Sequence, residues 1–75
     1  MRDIYFLTGK DCHLCTQARH LIAEVDSKKL NFIETDIYSK RIYVDKYWDK
    51  IPVLISKERE LFWPFSLEEI TNFLE

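Results

Sequence analysis

Apolar positions along the chain change their period from segment to segment, and each period predicts an element. Residues 4–7 form a continuous apolar run, Ile-Tyr-Phe-Leu, which is typical of a strand buried on both faces. Helical spacing follows and predicts an amphipathic helix, with Asp11 or Cys12 near its N-cap and the polar residues 26–29 ending it. The apolar face of this helix consists of Leu14, Ala18, Leu21, Ile22 and Val25.

The rest of the chain predicts three more strands and two more helices. Residues 31–37, rich in Phe, Ile and Thr, indicate a strand, and residues 39–48 indicate a short helix. Residues 52–56 predict a third strand, with Pro52 at its first position, where proline is tolerated. Residues 59–63 predict a fourth strand, although the turn before it lacks the Asn-Gly or Asp-Gly of a tight hairpin.

A capping box starts the closing helix, because Ser66 is followed three residues later by Glu69. Its apolar face consists of Leu67, Ile70, Phe73 and Leu74. The predicted order is therefore β-α-β-α-β-β-α. A β-α-β start implies two parallel strands joined by a right-handed crossover, and the final hairpin adds antiparallel strands. We therefore predict an α/β sandwich with helices on a four-stranded mixed sheet.

Composition and charge restrict the class of protein. The 75 residues are 47% hydrophobic, which suits one small domain spanning residues 1–75. Eleven basic residues against 13 acidic ones give a net charge of −2, which argues against a nucleic-acid-binding protein. No apolar run approaches the roughly 20 residues that span a bilayer, and the first is too short for a signal-peptide core. We expect a cytoplasmic monomer without nucleic-acid or membrane partners.

Two cysteines carry the candidate chemistry. Cys12 and Cys15 fall within the first turn of the first predicted helix, where free N–H groups and the helix dipole favour a negative charge. The thiolate is the reactive form of cysteine, and Lys10 and His13, when cationic, would stabilise the thiolate of Cys12 further. The i to i+3 spacing brings Cys15 close enough to attack a mixed disulfide held on Cys12.

Three kinds of site fit this motif. A dithiol redox pair is favoured, because Cys-x-x-Cys beside a β-α-β pattern is a specific signal. Structural zinc needs four ligands, and His20 would point away from the cysteines around the helix, so a metal site would form mostly through dimers. A pair of buried structural cysteines is disfavoured by their place at an exposed helix start, and a bridge that closes so short a loop would be a poor staple because it removes little chain entropy. We therefore predict no metal and no bound cofactor.

Two motifs resemble the glutaredoxin branch of the thioredoxin superfamily, and most closely its short glutaredoxin-like proteins. Residues 5–8, followed by Cys-His-Leu-Cys at 12–15, are similar to the first strand and active-site helix of that family. Residues 51–54, Ile-Pro-Val-Leu, resemble the segment with the superfamily's cis-proline. The resemblance covers essentially the whole chain and implies a thioredoxin-like fold.

The resemblance also implies an activity and roles for particular residues. Cys12 would be the nucleophile and Cys15 the resolving thiol of an oxidoreductase that reduces protein or glutathione mixed disulfides. Pro52 would be cis, and the backbone of Ile51 would be free to pair with an extended substrate. The reductant would be glutathione or a flavoprotein reductase. The alternative is a non-catalytic thioredoxin-fold module that binds a partner protein through the surface around Ile51 and Trp63.

The chain departs from the glutaredoxin pattern at three places. His13 stands where typical glutaredoxins have proline, and Gly9 holds the place of the family's usual basic residue. Residues 62–66, Phe-Trp-Pro-Phe-Ser, replace the glycine-rich turn that holds the γ-glutamyl end of glutathione. The N-terminus of the last helix still offers N–H groups for a carboxylate, so glutathione stays a candidate reductant.

Aromatic side chains are the remaining candidates for a surface. We expect Trp63 and Phe65 to pack in the core or at its edge, the alternative being an aromatic wall beside the cysteines. For the aromatic residues of the second predicted helix and the segment before it, we expect packing on the sheet rather than contact with a partner. These residues are Tyr38, Tyr43, Tyr47 and Trp48.

Overall fold

The computed structural model describes residues 2–25 and 30–74, so the prediction for residues 26–29 lies outside the described residues. Within these ranges the predicted order of strands and α-helices is confirmed. The elements are β1 (Arg2–Thr8), α1 (His13–Ala23), β2 (Leu30–Asp36), α2 (Arg41–Tyr47), β3 (Val53–Ser56), β4 (Arg59–Phe62) and α3 (Leu67–Phe73).

A short 3₁₀ turn, which the sequence analysis missed, precedes α2. It spans Ile37–Ser39 and begins where the Asp36 carboxylate accepts a hydrogen bond of 2.9 Å from the Tyr38 N–H. Aspartate favours such local bonds to the backbone over continued regular structure. The second helix therefore begins at Arg41, two residues later than the predicted start at residue 39.

The four strands form one mixed sheet in the order β2-β1-β3-β4. β1 and β2 are parallel, whereas β3 is antiparallel to both β1 and β4. Leu7 pairs with Val53, so the end of β1 lies beside the start of β3. The chain that leaves β1 toward the cysteines therefore runs next to the chain that enters β3 through Pro52.

Side chains from the two faces of the sheet form two cores. Ile4 and Phe6 of β1 join one core, and Leu7 joins the other. The first contains Ile4, Phe6, Ala18, Leu54, Phe65, Ile70, Phe73 and Leu74, and the second contains Leu7, Ile37, Tyr47 and Val53. The prediction that residues 4–7 are buried on both faces is wrong at Tyr5, which is exposed. Tyr5 lies on the same face of the sheet as Leu7, where α2 packs. At seven residues, α2 is only about 10 Å long, which is too short to cover this whole face.

Two leucines assigned to apolar helix faces are exposed instead. Leu14 is 44% exposed, because the neighbouring Cys15 takes the inward position in the first turn of α1. Leu67 is 39% exposed at the start of α3, whereas Ile70 and Phe73 are buried.

The aromatic residues around α2 divide into two groups. Tyr47 is buried in the second core, and Tyr43 is half-buried against it, as predicted. The prediction that Tyr38 and Trp48 pack on the sheet is wrong, because both are largely exposed. Tyr38 lies in the 3₁₀ turn and Trp48 follows the last residue of α2, so neither belongs to the inward face of the helix.

The segment before α3 follows the sequence prediction closely. Phe65 is buried in the first core, and the ring of Trp63 packs edge-on against it with centroids 5.0 Å apart. The capping box is confirmed, because Ser66 Oγ accepts from the Glu69 N–H at 3.1 Å and Glu69 Oε1 accepts from the Ser66 N–H at 3.2 Å.

Among the described residues, no helix has both the length and the apolar character that crossing a membrane requires.

Candidate active site

The two cysteines lie where the chain leaves β1 and enters α1. Cys12 is the N-cap of α1, and its Sγ accepts a hydrogen bond of 3.1 Å from the Cys15 N–H. The sulfur therefore satisfies one of the N–H groups that a helix leaves unpaired at its start. The two sulfur atoms are bonded as a disulfide, with the Cα atoms 5.2 Å apart.

The cysteines differ in their accessibility. Cys15 is only 2% exposed and packs at the inner side of α1, whereas Cys12 is half-buried. Cys12 is therefore the more accessible of the two cysteines. The roles of attacking and resolving thiol that the resemblance implies stay predictions.

The residues that flank Cys12 include both predicted thiolate-stabilising groups. Lys10 and His13 are exposed on either side of it along the chain, so their role toward the thiolate stays a prediction. Asp11 adopts a left-handed conformation with a φ of 54°, which aspartate tolerates better than most residues. This bend lies between the end of β1 and the N-cap position.

Ile51 and Pro52 lie beside this junction, because Leu7 and Val53 are paired in the sheet. The Ile51–Pro52 bond is cis, as the resemblance implies, and Pro52 is buried. The resemblance implies that the backbone of Ile51 is free to pair with a substrate, but the N–H of Ile51 is already paired within the protein. This N–H donates to the Tyr47 carbonyl at 3.2 Å, next to a bond of 2.8 Å from the Lys50 N–H to the same oxygen. Within residues 2–25 and 30–74 the Ile51 carbonyl accepts no backbone hydrogen bond, and its pairing with a substrate stays a prediction.

Gly9 is a site residue whose role the sequence analysis missed. A Cβ atom at this position would lie 2.6 Å from Cδ1 of Ile51 and 3.5 Å from Cε2 of Tyr38. The absence of a side chain lets Ile51 pack closely against the end of β1. The signal in the sequence is that Gly9 is the single glycine of the chain.

A groove of about 290 Å³ opens beside the cysteines. Its lining combines Leu14 from the cysteine motif, Ile51 from the cis-proline segment, and Phe62 and Trp63 from the end of β4. Asp49 and Lys50 complete the lining and form an ion pair of 3.1 Å with each other. Trp63 packs against the first core, as expected from the sequence, and it also lines the groove.

Four groove residues were not assigned to the site by the sequence analysis, namely Asp49, Lys50, Leu14 and Phe62. Leu14 and Phe62 resemble core residues by type, and only their exposures of 44% and 42% reveal that they face outward. His20 is exposed, and within residues 2–25 and 30–74 no group of three or more metal-ligating side chains comes together.

The fold and the cysteine pair define a glutaredoxin-like protein with a thioredoxin-like fold. The model of the glutaredoxin-like domain family (DUF836) matches residues 3–75, and the chain therefore belongs to that family. Among solved structures, it is similar to the X-ray structure of Northeast Structural Genomics target protein XcR50 from X. campestris. The two share 29% sequence identity with a TM-score of 0.80, covering 95% of this chain and 93% of that chain. The comparison with curated proteins found no match.

Proposed function

We propose that the protein is a thiol–disulfide oxidoreductase that reduces protein or glutathione mixed disulfides with Cys12 and Cys15. The observation that carries this proposal is the arrangement of the pair at the start of α1. Sγ of Cys12, the more accessible cysteine, accepts a hydrogen bond from the Cys15 N–H. Cys15 is buried, and its sulfur is bonded to that of Cys12. An N–H bond to a thiolate is charge-assisted and stabilises the anion.

The reaction starts from the reduced pair. The Cys12 thiolate attacks one sulfur of the substrate disulfide, and the other substrate sulfur leaves as a thiolate that takes up a proton. Cys15 then loses its proton and attacks Sγ of Cys12, which releases the second substrate thiol. The substrate gains two electrons and two protons, and the Cys12–Cys15 disulfide forms.

An external donor must return two electrons to this disulfide. Two molecules of glutathione or a flavoprotein reductase are the donors that we propose. No bound cofactor is required, because the sulfur atoms carry the electrons. We place the protein in the cytoplasm, where cellular reductants keep thiols reduced, and we propose that it acts as a monomer.

Steady-state turnover of a glutathione mixed disulfide tests the proposal. The assay compares the wild type with Cys12→Ser and Cys15→Ser, once with glutathione and its reductase and once with a thioredoxin-type reductase. Cys12→Ser should abolish turnover with either donor. Cys15→Ser should keep the glutathione-dependent reaction, which can proceed through Cys12 alone. Equal turnover by the wild type and a folded Cys12→Ser variant would contradict the proposal.

The alternative function, a non-catalytic binding module, is favoured by the exposed apolar side chains of the groove. The two functions differ in the reactivity of Cys12. A binding module predicts a Cys12 thiol with a pKa near 8.5, the value of free cysteine, and negligible turnover. The oxidoreductase predicts a clearly lower pKa, measured from the pH dependence of alkylation in the Cys15→Ser variant.

A further inference from the structure

The groove adjoins the cysteine motif at Leu14. Leu14 belongs to the cysteine motif itself, and Ile51 precedes the cis-proline. A substrate joined to Cys12 through its own cysteine sulfur therefore places the neighbouring residue of its chain at or near this groove. What the groove binds should influence which disulfides react.

Four of the six residues that line the groove are apolar. Leu14 and Phe62 are exposed, and Ile51 and Trp63 are half-buried. The only charged side chains in the lining, Asp49 and Lys50, neutralise each other through their ion pair. The volume of about 290 Å³ lies just below the range for ligand pockets, which is roughly 300–1,000 Å³. These properties suit one large, uncharged side chain.

Glutathione has the opposite character, since it carries two carboxylates and one ammonium group at neutral pH. The groove lining supplies one cation, and Asp49 already pairs with it. A side chain at position 9 would force Cδ1 of Ile51 to move, because its Cβ atom would lie 2.6 Å from that carbon. At the start of α3 one N–H group, that of Glu69, already donates to Ser66 Oγ. The groove lining therefore offers few partners for the three charged groups of glutathione.

We propose that this groove selects protein disulfides whose cysteine is flanked by a large apolar residue, in preference to glutathione disulfides. The inference rests on the oxidoreductase function proposed above and specifies its substrate. Phe62 and Leu14 are the specificity-determining residues, because they have the highest exposed fractions among the apolar residues of the groove. They act by binding the substrate side chain and take no part in the exchange of electrons.

The test measures how fast different disulfides oxidise the reduced protein. Three symmetric disulfides are compared: a peptide with Phe next to its cysteine, the same peptide with Ser in place of Phe, and glutathione disulfide. Each reaction converts one protein dithiol and one disulfide into the Cys12–Cys15 disulfide and two free thiols. The second-order rate constant is obtained by quenching with acid and counting free thiols by mass spectrometry, so no reductase is needed.

We expect the Phe peptide to react about tenfold faster than the Ser peptide, a ratio typical of matching an apolar group to an apolar pocket. Glutathione disulfide should be the slower reagent as well. Phe62→Ser should bring the Phe-to-Ser ratio close to one. Leu14→Ser provides a second variant with the same expected effect, should Phe62→Ser fail to fold.

Leu67→Ser is the matched control, because Leu67 has a similar exposure of 39% but lies outside the groove lining. It should keep the tenfold ratio. Equal rates with all three disulfides, or a ratio that survives both groove substitutions, would overturn the substrate preference and leave the oxidoreductase function intact. If no disulfide oxidises the wild type faster than the Cys12→Ser variant, both proposals are overturned.

Discussion

A single hydroxyl group on α2 should contribute measurably to stability at neutral pH and much less in acid. The Tyr47 hydroxyl donates a hydrogen bond to the carboxylate of Glu60 on β4, while its ring packs with Leu7 and Val53 in the second core. Tyr47→Phe removes the hydroxyl and keeps the ring. The substitution therefore isolates the polar contact between α2 and an edge strand of the sheet.

The magnitude follows from the surroundings of the two groups. Hydrogen bonds to charged groups contribute about 1.5–3 kcal/mol when both partners are well shielded. The side chain of Glu60 is 28% exposed, and Lys46 Nζ lies 3.5 Å from it, so water and the lysine partly compensate for the lost donor. We therefore expect Tyr47→Phe to lower the free energy of unfolding by about 1–1.5 kcal/mol at pH 7.

The pH dependence comes from the carboxylate. The hydrogen bond from Tyr47, assisted by the charge of Lys46, outweighs burial and lowers the pKa of Glu60 below its ordinary value of 4.5. A lowered pKa stabilises the folded state above the ordinary value, and this stabilisation is lost as the pH falls through the folded-state pKa. The difference between the wild type and Tyr47→Phe should therefore shrink at low pH.

Urea unfolding at pH 7 and pH 3 measures both effects. Tyr43→Phe is the control, because Tyr43 is also on α2 and half-buried, and its ring lies 6.3 Å from that of Tyr47. The control should change stability little at either pH. A Tyr47→Phe variant as stable as the wild type at pH 7, or equally destabilised at both pH values, would refute the reasoning.

Three further substitutions test local features. Ser56→Ala should raise the free energy of unfolding by about 1 kcal/mol in urea, because Ser56 Oγ is buried without a hydrogen-bond partner among the described residues; a less stable variant would contradict this. Lys57→Gly should raise the free energy of unfolding by about 0.5–1 kcal/mol, because Lys57 in the β3–β4 turn has a φ of 58°, which glycine adopts more easily than other residues. Glu58→Gly is the control at the other turn position and should not raise it. Gly9→Ala should slow oxidation of the reduced protein by the Phe peptide severalfold, because its Cβ displaces the Ile51 side chain, and an unchanged rate would argue against a close fit at this point.

The order of the elements could be predicted because periodicity reports directly which residues of a segment share a face. Apolar runs and residues that favour strands predicted the sheet, helical spacing predicted the helices, and the Ser66–Glu69 box marked the start of α3. The cysteine motif was equally visible, since its spacing is local. These features depend on neighbouring residues, which a sequence displays in order.

The groove could not be predicted, because exposure depends on what packs against a residue from distant parts of the chain. Leu14 fits the apolar period of α1, yet Cys15 takes the inward place beside it. Phe62 lies at the end of an edge strand, and nothing in its neighbours indicates which side it faces. The bond from the Ile51 N–H to the Tyr47 carbonyl likewise follows from how the chain turns after α2.

Trapping the covalent intermediate tests the central claim most directly. Cys15→Ser and Cys12→Ser are reduced, mixed with the symmetric Phe-peptide disulfide, and examined by intact-mass and peptide-mapping spectrometry. The account predicts rapid formation of a peptide adduct on Cys12 in the Cys15→Ser variant and slow reaction of the buried Cys15 in the Cys12→Ser variant. Equal rates for the two variants, or faster labelling of Cys15, would contradict the assignment of Cys12 as the attacking thiol.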